Sequence, residues 1–444
     1  NRYNLNLNYK YEDTTGRVFN VDAEYGWFGK DNSNLQSNLY RDAQQVKLLQ
    51  NLYRSHNGID IRLKAIRVDY AFPLLKGLLE TGVRLSSITS ANASFFYHVV
   101  STGDSLDNRR SNTFSFKEDI AAAYLSYKKT IRKWTVQTGL RVEQSSSVGT
   151  LSFIKNAIDT LQVNTRKQLK PFPSFSISFR PSERHNYSLS YSRRIDRPAY
   201  QDLNPFVYLL DELSFWQGNP FLQPQLTHRV SLQYLYRSST IVGVHFSHTD
   251  GYSTRITDTI ENSKIVMIPE NLGTQQNISL SLTQNLTFKS WWDLSFNATL
   301  YRLHNKVAFD TLRKMDLRQA AARFNVQQRF KLPLSIAAEV SAYYNSKRLI
   351  GANEIVRANS QVDVAVQKSV WKNKAVLRLA FNDIFKGSRT RSFQAFDGFY
   401  LSNYGYYETR QVRLNFTYKF SNKNAKAPRS RSSALENENN RIRN

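Results

Sequence analysis

Apolar and polar residues alternate one by one along much of the chain. In the stretch Trp292 to Leu300, Leu294, Phe296, Ala298 and Leu300 are apolar, while Asp293, Ser295, Asn297 and Thr299 are polar. The same two-residue period runs through Tyr3–Tyr9, Phe175–Phe179, Tyr187–Tyr191, Ile278–Leu282 and Val412–Phe420. Successive strand side chains point to opposite faces, so each run predicts a strand with one oily and one wet face. About 18 strands are expected by this pattern and its turn signals. Their spans are 2–11, 17–29, 38–54, 59–71, 77–98, 112–128, 133–148, 171–181, 186–195, 226–237, 240–251, 276–288, 292–306, 316–329, 332–346, 356–370, 374–387 and 406–420. A sheet this long, apolar on one side throughout, must bury that side in a sandwich or turn it towards lipid.

The connections decide between the two. Short ones fall near Pro73–Lys76, Lys129–Lys133, Pro181–Asn186, Ser238–Ser239, Lys289–Trp291, Lys331–Leu332 and Trp371–Lys374. Long ones lie at 99–111, 149–170, 196–225, 252–275, 307–315 and 388–405. Short turns on one side and long loops on the other are what an outer-membrane barrel requires. Trp134, Trp291, Trp292 and Trp371 stand beside the short turns, where an aromatic girdle meets the inner headgroups. The fold class is therefore all-β, a transmembrane antiparallel up-and-down barrel. Leu294, Phe296, Ala298 and Leu300 are expected to face lipid. With the short turns in the periplasm, the last strand runs downward, the first upward, and the strand number is even. Residues 1–420 form the barrel, and the polar stretch 421–444 forms a weakly ordered periplasmic tail.

Composition refines this picture. The 444 residues include no Cys, which excludes a disulfide scaffold, and no run of about 18 apolar residues. The mean hydropathy of −0.52 suits a barrel whose strands are half polar as well as a soluble protein. The chain starts at Asn1 without a signal peptide, so a mature chain or a fragment is expected. The formal charge is +26, from 61 Lys and Arg against 35 Asp and Glu. The cations are scattered rather than gathered, which favours a polar lumen and a rim near anionic headgroups over nucleic-acid binding.

The most specific segment is Arg193-Arg194-Ile195-Asp196-Arg197-Pro198-Ala199-Tyr200-Gln201-Asp202-Leu203-Asn204-Pro205-Phe206, followed by Gly218-Asn219-Pro220-Phe221-Leu222-Gln223-Pro224. It resembles the barrel of TonB-dependent outer-membrane receptors, in particular the Bacteroidetes-type outer membrane protein β-barrel family, where an Arg-rich strand end leads to RPxYxxLNPF and then GNPxLxP. Gln225 replaces the acidic residue expected next. Chemically these Pro, Gly and Asn residues are loop formers. The segment is expected to be an extracellular loop over the barrel mouth. Arg193, Arg194, Arg197, Tyr200, Asn204, Trp216 and Asn219 are its candidate ligand-binding residues. The competing role for the arginines is architectural, pairing with acidic neighbours inside the wall.

The last strand, with Leu414, Phe416, Tyr418 and Phe420, resembles the C-terminal signal read by the barrel-assembly machinery, although 24 residues follow it where many barrels stop. No catalytic, phosphate-loop or zinc-protease motif occurs, so no enzyme activity, cofactor or metal site is expected. His245 and His248 are three apart on a strand and point to opposite faces.

The resemblance implies a receptor of about 22 strands with an N-terminal plug, so this chain would be its C-terminal part. It implies uptake of a bulky nutrient, energised by the TonB complex through a plug absent from this chain. It also implies outer-membrane lipid and lipopolysaccharide as surroundings in a Gram-negative bacterium. The rivals are a passive porin or structural barrel, and a soluble β-rich binding protein with a basic face.

Overall fold

The computed structural model describes residues 1–155, 158–260, 264–309, 313–396, 399–420 and 434–442. Among the described residues, twenty strands form one hydrogen-bonded sheet. Three of them are short pieces carried by loops: Gly103–Leu106, Val207–Leu209 and Ser214–Gln217. The other seventeen make the wall, each antiparallel to the next in chain order. A separate four-stranded sheet, Arg348–Ile350, Glu354–Val356, Arg389–Phe396 and Phe399–Tyr406, belongs to the long connections.

The ladder registers place like with like. Ile177, Leu189, Leu232, Val244, Leu280, Leu300 and Ala322 lie opposite one another across seven strands. One residue along each strand, the row reads Ser178, Ser188, Gln233, Gly243, Ser281, Thr299 and Arg323. The period of two thus sorts the wall into an apolar outer face and a polar inner face. Leu189, Leu232, Val244, Leu280 and Leu300 are each 41–52% exposed, which leaves them to lipid rather than to a packed second sheet. On the inner face Thr283 donates to Asn297 at 2.9 Å and Ser295 to Asn285 at 2.8 Å.

The height of the oily belt can be read on the strand Lys47–Leu74. Its outward positions are Ile66, Val68, Tyr70, Phe72 and Leu74 next to the short turn, then Lys64, Arg62 and Asp60 above. Nine residues suffice for a tilted strand to cross the hydrocarbon. The strand has 28, so most of it stands above the bilayer.

Short turns at Leu75–Lys76, Arg237–Ser238, Leu334–Ser335 and Trp371–Asn373 carry positive φ values, the geometry that matches strand twist in tight hairpins. The girdle lies at this end. Trp134 stacks on Phe179 at 4.3 Å, Trp291 and Trp292 on Phe330 at 6.2 and 6.0 Å, and Trp371 meets Phe416 edge-on at 5.9 Å.

Three details differ from the sequence expectation. The spans 17–29, 38–54 and 59–71 are two strands, Val18–Arg41 and Lys47–Leu74, joined where Asp42 accepts from the amides of Gln44 and Val46. The connections 149–170, 252–275 and 307–315 are largely continued β-ribbon, as in Trp134–Lys155 paired with Ile158–Ser182. Above the membrane both faces are wet, so alternation fades while the ladder persists. The wall count is then odd, and the first and last strands both run towards the short turns, so the expected upward first strand and even number do not hold. Among the described residues no ladder joins Arg2–Glu12 to Gln411–Tyr418. Each pairs on one side only.

Candidate functional site

The strand His185–Asp196 ends in the loop that reaches across the barrel mouth. Residues Tyr200–Leu203 make one helical turn, and Val207–Leu209 pairs with Ser214–Gln217 in a small hairpin. On one side of the mouth Glu212 accepts from Tyr53 at 2.6 Å and Asn51 at 2.8 Å. On the other, Ser214–Trp216 lies parallel to Ile265–Met267. The strands bearing these contacts are far apart in the wall, so the hairpin bridges the lumen. Its return leg is held by Arg166, which donates to the Leu222 carbonyl at 2.8 Å, and by Asn164, which donates to Pro220 at 3.0 Å.

The motif residues occupy distinct places. Arg197 lies between two wall carboxylates, Glu143 at 2.8 Å and Glu118 at 3.5 Å, and Arg141 also binds Glu143 at 2.6 Å. Arg193 donates to the Pro171 carbonyl at 3.3 Å. Arg194 stays exposed opposite Thr227. Tyr200 is buried, with the Arg441 guanidinium 4.2 Å from its ring centre. Asn204 ends the helical turn and is buried.

Its carbonyl lies so near Gly218 that a Cβ there would come within 1.9 Å, so only glycine fits. Asn219 donates its amide to Asp202 at 2.7 Å and its side chain to Pro269 at 3.1 Å, and accepts from Phe221 at 2.9 Å. Trp216 carries the Arg255 guanidinium 4.0 Å from its ring centre, and Arg255 also reaches Asp202 at 3.2 Å. Tyr200 and Asn204 are thus buried in the loop, Arg197 is held between its carboxylates at the wall, Trp216 (through Arg255) and Asn219 each connect to Asp202, and Arg193 and Arg194 stand apart on the wall.

Beneath the loop the inner wall is apolar where a water-filled lumen would favour polar groups. Ile61, Leu63, Ile88, Phe114, Phe116 and Ile120 project inward and are buried. Leu203, Phe206 and Leu222 of the loop cover part of the patch. The remainder is covered by residues 434–442, with Ala434, Leu435 and Ile442 in the same cluster. Of the stretch expected to be a weakly ordered tail, 421–433 and 443–444 lie outside the described residues, while 434–442 pack inside the wall. Only the isolated Leu435 and Ile442 hinted at this in the sequence. Glu118 and Glu143, the partners of Arg197, were legible only as a class, acidic neighbours inside the wall.

Among the described residues no group of three or more His, Cys, Asp or Glu could hold a metal ion, and no helix is long and apolar enough to cross a membrane. The crossing elements are strands. An antiparallel wall with an oily exterior, an aromatic girdle and a loop-covered mouth has the make-up of an outer-membrane β-barrel.

The chain belongs to the outer membrane protein beta-barrel family, which it matches over residues 10–418. It is located in the outer membrane. No curated protein matches it. Among solved structures it resembles the ferric yersiniabactin uptake receptor FyuA from Yersinia pestis, with TM-score 0.62 and 10% identity over 94% of this chain and 60% of that one. It also resembles the siderophore receptor PiuA from Acinetobacter baumannii, with TM-score 0.63 and 12% identity over 94% and 64%. The copper transporter OprC gives 0.61 and 11% over 94% and 64%. At such identities the likeness shows the fold, the one the resemblance to TonB-dependent receptors implied. The chain spans about three-fifths of the length of these proteins. They are receptors and transporters rather than enzymes.

Proposed function

We propose that this chain is the barrel portion of a TonB-dependent uptake receptor for a bulky nutrient such as a metal chelate, a glycan or a peptide. The observation that carries the proposal is the bridged mouth: a loop with its own buried core spans the lumen from Tyr53 to Ile265. A passive pore gains nothing from such a cover, whereas a receptor needs one to capture cargo and hold it until energy is supplied. The siderophore and copper proteins with the same wall support this assignment. Cargo would first meet the loop tip near Asp211, then Arg194, exposed on the wall, and the half-buried Trp216. Lipopolysaccharide would surround the wall, and the barrel-assembly machinery would read the last strand.

The wall also supports a longer barrel. Seventeen antiparallel strands cannot close on themselves, because the first and last run the same way. A closed antiparallel ring has an even number of strands, and an open edge in hydrocarbon leaves backbone groups unsatisfied at several kcal/mol each. Closure therefore calls for an odd number of further strands, and five would complete the 22 of the receptors this chain resembles. A plug and a TonB contact would belong to the same upstream region.

The test is uptake by cells expressing the gene, with and without TonB. The probes are radioiron chelates, fluorescent oligosaccharides and fluorescent peptides. Accumulation of one probe class that requires TonB is expected. Equal, TonB-independent entry of small solutes of every class would favour the porin.

A further inference from the structure

The residues that cover the inner apolar patch come from the far end of the chain. Residues 421–433 separate them from the last wall strand in the sequence. The segment 434–442 is held at several points. The Leu435 amide donates to Glu24 Oε2 at 3.0 Å. Glu438 pairs with Arg84, and Arg441 pairs with Glu118. Arg441 Nε donates to the Pro198 carbonyl at 2.9 Å, and the Arg441 carbonyl accepts from the Tyr200 amide at 3.3 Å. Arg2 donates to Asn439 at 3.0 Å. Leu435 is fully buried, and Glu438 and Arg441 are nearly so.

Two features make this a built site rather than a resting place. First, the wall is apolar where the segment is apolar, at Ile61, Leu63 and Ile120 against Leu435 and Ile442. Second, the charges are complementary in order. Basic Arg84 meets acidic Glu438, and acidic Glu118 meets basic Arg441. Buried charges without such partners are strongly unfavourable, so the pairing selects both the sequence and its direction.

We propose that the inner wall around Glu24, Arg84 and Glu118 is a peptide-binding cradle, and that the C-terminal segment 434–442 is its tethered occupant. It acts as a stopper that must leave before cargo passes. The segment also touches the mouth loop at Pro198 and Tyr200, so release of the stopper and movement of the loop are mechanically linked. The cradle rests on the barrel alone, whereas the stopper role rests on the uptake reading.

These 444 residues contain no cysteine, so an introduced thiol is the only one among them. In the full-length protein, folded in detergent and checked by heat-modifiable migration, a thiol at Leu435→Cys is expected to label with maleimide far more slowly than one at the exposed turn position Lys372→Cys. Arg84→Ala, which leaves Glu438 buried without its partner, and Arg441→Glu, which sets a carboxylate beside Glu118, should each raise the Leu435→Cys labelling rate about a hundredfold. Arg84→Met with Glu438→Leu, which removes both charges of that pair, should restore most of the protection.

Labelling at Leu435→Cys as fast as at Lys372→Cys overturns the proposal, because another segment then holds the cradle or nothing does. So does an Arg84→Met, Glu438→Leu variant that labels no more slowly than Arg84→Ala. Loss of TonB-dependent uptake with thiol protection intact would sink the receptor assignment and leave the cradle standing.

Discussion

Arg197 of the mouth loop reaches Glu143 of the wall, Nη2 to Oε2, at 2.8 Å, with both side chains almost entirely removed from water. The contact ties the loop motif to a strand far away in sequence. Arg197→Ala takes away one of two cations from Glu143, which keeps Arg141, so its cost stays below the roughly 3–5 kcal/mol of a buried charge left wholly alone, whereas replacing both partners by apolar groups of similar volume is often nearly neutral. Arg197→Ala should therefore loosen the loop, seen as faster hydrogen exchange over residues 198–206. Arg197→Met with Glu143→Leu should recover most of the protection. Equal exchange in the single and double variants would show that the pair does not anchor the loop.

Gly218 gives a steric prediction. A methyl group there meets the Asn204 carbonyl, which belongs to backbone and cannot swing away. Gly218→Ala should separate the two legs of the loop and expose Phe206 and Leu222, which are now buried. Limited proteolysis within 204–218 should accelerate at least several-fold while the wall stays intact. An unchanged digestion pattern would place the two legs farther apart than described.

The lipid face is tested by neighbours on one strand. Phe296 stacks towards Phe324 at 6.5 Å on the outer surface, whereas Asn297 accepts from Thr283 on the inner one. An arginine at the bilayer midplane on a lipid face costs about 2–4 kcal/mol, and a lumenal one far less. Phe296→Arg should lower the yield of heat-modifiable protein sharply, and Asn297→Arg only slightly. Similar yields would invert or abolish the assigned faces.

Asp383, in the connection above the strand Ala375–Asn382, gives a pH prediction. Its carboxylate accepts from the Thr409 hydroxyl at 2.6 Å and from the amides of Gly387 and Ser388 at 2.8 and 3.2 Å. Burial pushes its carboxyl up, but these donors outweigh burial and hold it below the usual carboxylate range. A depressed folded value means that the stabilisation is complete above the unfolded value of about 3.9 and is lost as pH falls through the folded value. Exchange at the Gly387 and Ser388 amides, corrected for intrinsic rates, should be flat near neutrality and rise only in that acid window. Asp383→Asn should remove the acid limb.

The sequence resolved those parts of the fold where water lies on one side and lipid on the other. There the period of two is enforced, and the strands around Trp292–Leu300, the seven short turns and the tryptophan girdle all lie where the alternation puts them. It failed where both faces are wet. Thr165, Arg166, Lys167 and Gln168 have no apolar face to display, so the ribbon through them read as a loop. The turn at Asp42 carries neither Gly nor Pro, so one long hairpin was divided. At the site, the loop motif was legible because its prolines and glycines are backbone devices. Its partners Glu118, Glu143 and Arg441 were not, since each is a single charge whose meaning depends on what the register brings opposite.

The height of the ribbons has an electrostatic consequence. The strand Lys47–Leu74 continues from Ala65 to Lys47 above the oily belt, a rise of roughly 45 Å at the tilt usual for such walls. The field of anionic headgroups decays within a Debye length of about 8 Å at physiological ionic strength. Cations near the ribbon tips, such as Lys47 and Arg54, are therefore several screening lengths beyond that field. An anionic molecule arriving from outside feels these tips before it feels the membrane. The salt of the surrounding medium, rather than the lipid composition beneath, sets how strongly it is drawn in.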